Sequence, residues 1–77
     1  MVKRTFTVVI EKDEEGWYIA DVPELPSCHT QGKTKKEVMK NIKEAIELCL
    51  EVMTAKKEKI KTNFIGIEKV AVHAQSN

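Results

Sequence analysis

Three glycines, two prolines, two cysteines and four aromatic residues are all that this 77-residue chain holds of those types. Two cysteines without a disulfide-like spacing do not make a stapled secreted scaffold and suit a reducing compartment. Apolar runs are short: MVKRTFTVVIEKDEEG returns to charge after a few residues, with no signal-peptide pattern. Nothing approaches the roughly 20 apolar residues of a membrane span. An excess of one charge is also missing. Thirteen Lys and Arg face twelve Asp and Glu, a net charge of +1, so no global pull toward nucleic acid or membrane is implied. What remains is 42% hydrophobic and 32% charged, the composition of a globular domain rather than a disordered one. At this length a single core is marginal, which makes oligomerisation an attractive source of stability.

The chain divides into clear local signals. RTFTVVIE, residues 4–11, is β-branched and aromatic with Phe6, Val8 and Ile10 on one parity, which predicts a strand. DEEG, residues 13–16, is a turn, and GWYIADV predicts a second strand that makes a hairpin of residues 4–22. A connector of this length leaves open which face of Trp17 and Tyr18 is buried. The prolines of VPELP end that strand, because each lacks an N–H for a ladder. A short third strand is expected at about Ser27 to Gln31, and Gly32 permits the turn after it. Thr34 with Glu37 three residues on is a capping box, so a helix starts there. Val38, Ile42, Ala45, Ile46, Cys49, Val52 and Met53 keep one apolar face. Lys56 would fall inside that stripe, so the core-facing helix ends near Ala55. Met39, Leu48 and Leu50 make the apolar surface wider than one sheet face needs. NFIGIEKVAV, residues 63–72, predicts a fourth strand, apolar on both parities, and 73–77 a flexible tail. The expectation is one α+β domain over residues 1–72, ordered β-β-β-α-β, with the helix on one face of a small sheet.

Three constellations could carry chemistry. Cys28 and His29 are neighbours in extended backbone, so their side chains point to opposite faces and the imidazole cannot reach the thiol. No second pair at a metal-binding spacing accompanies them, and Cys49 lies on the core face of the helix as a small hydrophobe. The acids Asp13, Glu14 and Glu15 crowd a turn, and Asp21 ends a strand, short of the convergent set that a two-metal nuclease needs. The lysines of KKEKIK at 56–61 and Lys36, Lys40 and Lys43 read as a solvated face, with Lys40–Glu44 and Lys43–Glu47 spaced four apart. No aromatic is interleaved with them to stack a base. Neither catalytic residues nor a metal or other cofactor are expected.

The string GWYIADVPELPSCHTQGKTKKEVMKNIKEAI resembles the HicB-like antitoxin family. Gly16, Tyr18, Ala20, Pro23, Leu25, Pro26, Cys28, Thr30, Gly32, Thr34, Glu37, Asn41, Glu44 and Ala45 match the family pattern in order. Ser27 stands where glycine is usual and Val38 where alanine is usual. The resemblance implies a partial RNase H-like fold without its nuclease centre. It also implies a cytoplasmic, non-enzymatic protein that binds and silences a small RNA-cleaving toxin, HicA, which has a double-stranded-RNA-binding-like fold and a catalytic histidine. Family members with a C-terminal DNA-binding domain repress their own operon. Only the fourth strand and a short tail follow the helix here, so DNA binding is not expected. The competing readings are a stand-alone oligomeric regulatory or structural domain without a toxin, and a residual metal-dependent nuclease.

Candidate partner-binding residues are Asp13, Glu14, Glu15, Trp17, Tyr18, Pro23, Leu25 and Pro26, where aromatics and acids flank a stiff loop. Leu25 either packs beneath that loop or is offered to a partner, and Asn41 is placed to tie the helix back to the 22–32 stretch. Met39, Leu50, Ile65 and Ile67 are the candidates for self-association, most simply as a homodimer, although a higher homo-oligomer fits as well. Alternatively, Leu50 and Met39 sit under the connection at 56–62 and the chain stays monomeric.

Overall fold

The computed structural model describes residues 3–75. Three strands, β1 (Val9–Lys12), β2 (Tyr18–Asp21) and β3 (His29–Gly32), precede one helix, α1 (Lys35–Ala55). The strands form an antiparallel sheet in the order β1-β2-β3, and α1 packs against β2 and β3. This is an α+β arrangement, with the elements β-β-β-α in the expected order.

The β1–β2 register pairs Val9 with Asp21 and Lys12 with Tyr18. It is set by the turn between them. The Asp13 carboxylate accepts the backbone N–H groups of Glu15 and Trp17, both at 2.9 Å, and Gly16 adopts φ +91°, where a side chain would be strained. The parity of burial follows. Phe6, Val8, Ile10, Tyr18, Ala20 and Val22 face the core, while Val9, Ile19 and Trp17 alternate onto the opposite face. The sequence left the burial of Trp17 and Tyr18 open, and the register sends them to opposite sides.

β1 is shorter at its start than the 4–11 run predicts. Its partner strand stops at Asp21 and turns at Pro23, which has no N–H to offer. The Thr7 N–H turns instead to the Glu24 carboxylate, at 3.0 and 3.2 Å from its two oxygens. Residues 22–28 fold into two linked turns through Leu25 N–H to Val22 C=O (3.0 Å), Cys28 N–H to Leu25 C=O (2.8 Å) and Val22 N–H to Cys28 C=O (3.1 Å). These bonds hold Val22, Leu25 and Cys28 in the core with Ala20, Val38 and Ile42.

The helix begins as its cap dictates. Thr34 is extended, its hydroxyl accepts the Glu37 N–H at 3.0 Å, and Glu37 reaches back to the Lys33 N–H at 3.2 Å. Asn41 donates through Nδ2 to the Gln31 carbonyl at 3.0 Å, the expected tie between helix and loop stretch. At Gly32 the β3 and α1 backbones approach closely: a Cβ there would lie 2.7 Å from the Val38 nitrogen. The other end of the helix closes with a Schellman motif. Glu58 N–H bonds to Met53 C=O (2.8 Å), Lys57 N–H bonds to Thr54 C=O (3.1 Å), and Lys57 sits at φ +58°.

A 21-residue helix is roughly 31 Å long, whereas four-residue strands span about 13 Å. Only the first turns of α1 therefore meet the sheet. Val38 and Ile42 are buried, Ala45, Ile46, Cys49, Leu50 and Met53 are partly covered, and Val52 is half exposed although it lies on the stripe. Of the residues foreseen to widen the apolar surface, Leu48 and Leu50 lie on this overhang, while Met39 is exposed near the start of the helix.

The fourth strand expected over 63–72 is not part of the sheet. Residues 58–75 carry no secondary structure, and after Ile60 every described residue is exposed. A strand exists only against a partner, and among the described residues this segment has none. The tail foreseen at 73–77 is described only as far as residue 75.

Two substitutions test this packing. Gly32→Ala drives a Cβ into the backbone of α1, and should lower the stability by about 1–3 kcal/mol in urea unfolding. Lys57→Gly relieves the left-handed residue of the helix cap, and should raise stability by up to about 1 kcal/mol in the same assay. Equal midpoints for wild type and both variants would contradict these contacts.

Candidate functional site

The sheet has two unlike faces. One is taken by α1. The other carries half-buried Val9, Trp17 and Ile19, with exposed Glu11 and Asp21 beside them and the turn acids Glu14 and Glu15 at its end. Lys33 lies over the Trp17 ring, 5.7 Å from its centroid, and the two border a shallow cleft with Glu15 and Gly16. Acids border these apolar side chains along β1, β2 and the turn, while His29, Gln31 and Lys33 line the β3 side, and the acidic part forms a surface suited to a basic protein partner.

The proposed partner-binding residues separate on this frame. Glu14, Glu15 and Trp17 lie on or beside the open face, and Pro23 and Pro26 are exposed on the loop. Asp13 is exposed, but its carboxylate is occupied by two backbone N–H groups and its work is to hold the turn. Tyr18 faces the core with Lys12 over its ring at 5.3 Å. Leu25, with 4% of its surface exposed, is a core residue and is not offered to a partner. Glu11 and Ile19 join the face without having been singled out, and Asp21, weighed before only as a nuclease acid, joins it as well. Their signal was period-two alternation, which became readable only with the register known.

Of the self-association candidates, Ile65 (92% exposed) and Ile67 (64%) stand in solvent and Met39 is exposed at 41%. Leu50 is half-buried, close to Glu58, Lys59 and Ile60 of the connection.

Cys28 and His29 are split as neighbours in extended backbone must be: the thiol is buried and the imidazole exposed. The sequence gives no hint that Cys28 lies beside Cys49, its neighbour across the core. Burial first, and then the adjacent Cys49 thiol, push the Cys28 thiol up to about 12, so it is a neutral thiol at physiological pH and a poor nucleophile. An apolar groove of about 440 Å³ runs past these two thiols between the 24–28 loop, the end of α1 and the 58–62 connection. Among the described residues, no three His, Cys, Asp or Glu side chains are grouped to hold a metal ion. Glu24 is engaged with Thr7, and Asp21 lies on the open face. No helix in the described residues is long and apolar enough to cross a membrane.

The raised Cys28 value has a consequence for stability. The fold favours the neutral thiol, so this contribution is fully present below the ordinary thiol value of 9.0 and is lost as pH rises from there toward about 12. The urea midpoint should fall above pH 9, and fall less in Cys28→Ala. An identical alkaline loss in both proteins would remove Cys28 as its cause.

Comparison with known proteins places the chain. The family described as HicB-like antitoxin of bacterial toxin–antitoxin system matches residues 6–76. A UPF0150 protein of Synechocystis is 50% identical over 72 residues, covering 94% of this chain and 100% of its own length. UPF0150 proteins of Thermoplasma acidophilum (51% identical, 90% of this chain, 97% of theirs) and Archaeoglobus fulgidus (54%, 87% and 93%) are similar along nearly their whole lengths. No solved structure matches the chain. With the family's pattern running from the first strand to beyond residue 72, this chain is a member of the HicB-like antitoxin family.

Proposed function

We propose that this protein is a non-enzymatic, cytoplasmic antitoxin that binds and neutralises a small basic, RNA-cleaving HicA-like toxin. The observation that carries this reading is the uncovered sheet face, where Trp17, Val9 and Ile19 are bordered by Glu11, Asp21, Glu14 and Glu15. An RNA-cleaving protein must present basic surface to its substrate. An acidic, partly apolar face competes for that same surface, and blocking it silences the toxin without chemistry by the antitoxin. Pro23 and Pro26 lie at the far end of β2 and stiffen the rim, so little ordering is needed on binding. Self-association accompanies this role, with Met39, Leu50, Ile65 and Ile67 as its candidate contacts. DNA binding forms no part of the reading.

The chain is purified from its native cell with whatever protein it holds, and the partner is assayed for RNA cleavage alone and in complex. The expected result is a small basic protein whose cleavage is suppressed by this chain. RNA cleavage by this chain alone with Mg²⁺ or Mn²⁺, abolished in Asp21→Asn, would favour the nuclease reading instead. With the partner in hand, Glu14→Gln/Glu15→Gln should slow association about tenfold at low salt and flatten its salt dependence, while Asp13 is left intact to hold the turn. Unchanged association rate and salt dependence would move the interface elsewhere.

A further inference from the structure

Residues 63–72 pose a physical problem that the single chain does not solve. Ile65, Ile67, Val70 and Val72 are exposed at 92, 64, 82 and 76%, four large apolar side chains within eight residues. Their backbone groups have no ladder to join. The radius of gyration is 15.0 Å, against about 11.5 Å for a compact domain of this length, as expected of a chain with an arm standing off its core.

The same molecule carries a matching vacancy. Of the two sheet edges, β3 is only partly blocked: Asn41 takes the Gln31 carbonyl and Gly32 abuts the helix backbone, while the backbone groups of His29 point outward. β1 is open. Its register with β2, continued by the Asp13 N–H bond to the Trp17 carbonyl at 2.9 Å, turns the backbone groups of Val9 and Glu11 toward β2. Those of Ile10 and Lys12 therefore point outward, unladdered. On the helix side of this edge, Phe6, Val8 and Ile10 face the core and yet stay half-buried, as do Leu50 and Met53 above them. An apolar strand laid along β1 would ladder the open edge and cover that layer. Ten extended residues span about 33 Å, longer than the roughly 23 Å from Phe6 to Lys12.

The arm does not run along its own β1. The helix cap turns the chain at Lys57, residues 58–60 pass Arg4, Leu50 and Met53, and residues 62–68 continue past Pro23 and Glu24. That course crosses the end of the sheet and leaves the β1 edge unoccupied. We propose that residues 63–72 form a fourth strand given to a second copy of this chain, paired along its β1 edge, with the second copy's arm returned in the same way. The occupant is a second copy because donor and acceptor sit on one molecule in equal number, so a two-fold exchange satisfies both with nothing left over. The arm holds one acid and one base, Glu68 and Lys69, and so offers no charge attraction to a basic partner. This deepens the self-association proposed above and is independent of any toxin.

Light scattering at micromolar concentration should give twice the 8.8 kDa chain mass. Ile67→Lys/Val70→Lys puts a charge on each face of the arm at positions exposed in the single chain, so the fold survives. This variant should keep its helical circular dichroism and weaken the dimer at least 100-fold. In a dimer mixed from isotope-labelled and unlabelled wild-type chains, filtered NOEs should connect residues 63–72 of one chain to residues 6–12 of the other. A mass of 8.8 kDa at all concentrations would overturn both dimer and exchange. A dimer that persists in the double variant, or arm-to-β1 NOEs found only within one chain, would overturn the exchange while leaving the toxin reading untouched.

Discussion

Docking of the first two turns of α1 onto β2 and β3 is the contact from which the other features follow. Val38 and Ile42 are almost wholly buried against Ala20, Val22 and Cys28, and they reach that depth because Gly32 brings no Cβ to the backbone of Val38. A bulkier residue would lift the helix off the sheet at its N-terminus, and the described residues hold a core of six buried apolar side chains to resist it. The cap at Thr34 and the Asn41 bond to Gln31 act at the same place. So the junction is secured by close approach, capping and a side-chain bond within a few residues.

Because that docking uses only the start of a long helix, the rest of α1 projects beyond the strands. The linked turns of 22–28 fill part of the gap, and this is why Leu25 and Cys28 are core residues despite belonging to a loop. The same overhang brings Cys49 against Cys28 and leaves Leu50 and Met53 half covered. Past the helix cap no sheet surface is left for the chain to pack on in the same direction. The arm and the open β1 edge are thus two consequences of one geometrical mismatch between helix length and strand length.

The fold gives its two sheet faces different environments. One is spent on stability. The other keeps acids and a tryptophan in reach of solvent, held in register by the Asp13 turn. The acid that looks most available in the sequence, Asp13, is the one committed to structure, while Glu11 and Asp21 acquire their place from alternation along paired strands.

By itself the sequence determined the kinds of element, their order, the start of the helix at Thr34 and its end at Ala55, because those signals reside in residues a few positions apart: a cap, a 3.6-residue stripe, a proline that stops a ladder. The family pattern was legible for the same reason, as ordered local spacing between Gly16 and Ala45. The tertiary structure alone decided which of Trp17 and Tyr18 faces the core, since a one-residue change of register exchanges the faces. It alone brought Cys28 to Cys49 and buried Leu25, because both depend on where a long helix lies over short strands. Residues 63–72 mark the limit of the local code. Their β-branched, apolar pattern specifies a strand, but a strand needs an edge to pair with, and no stretch of sequence states which edge, or whose, that will be.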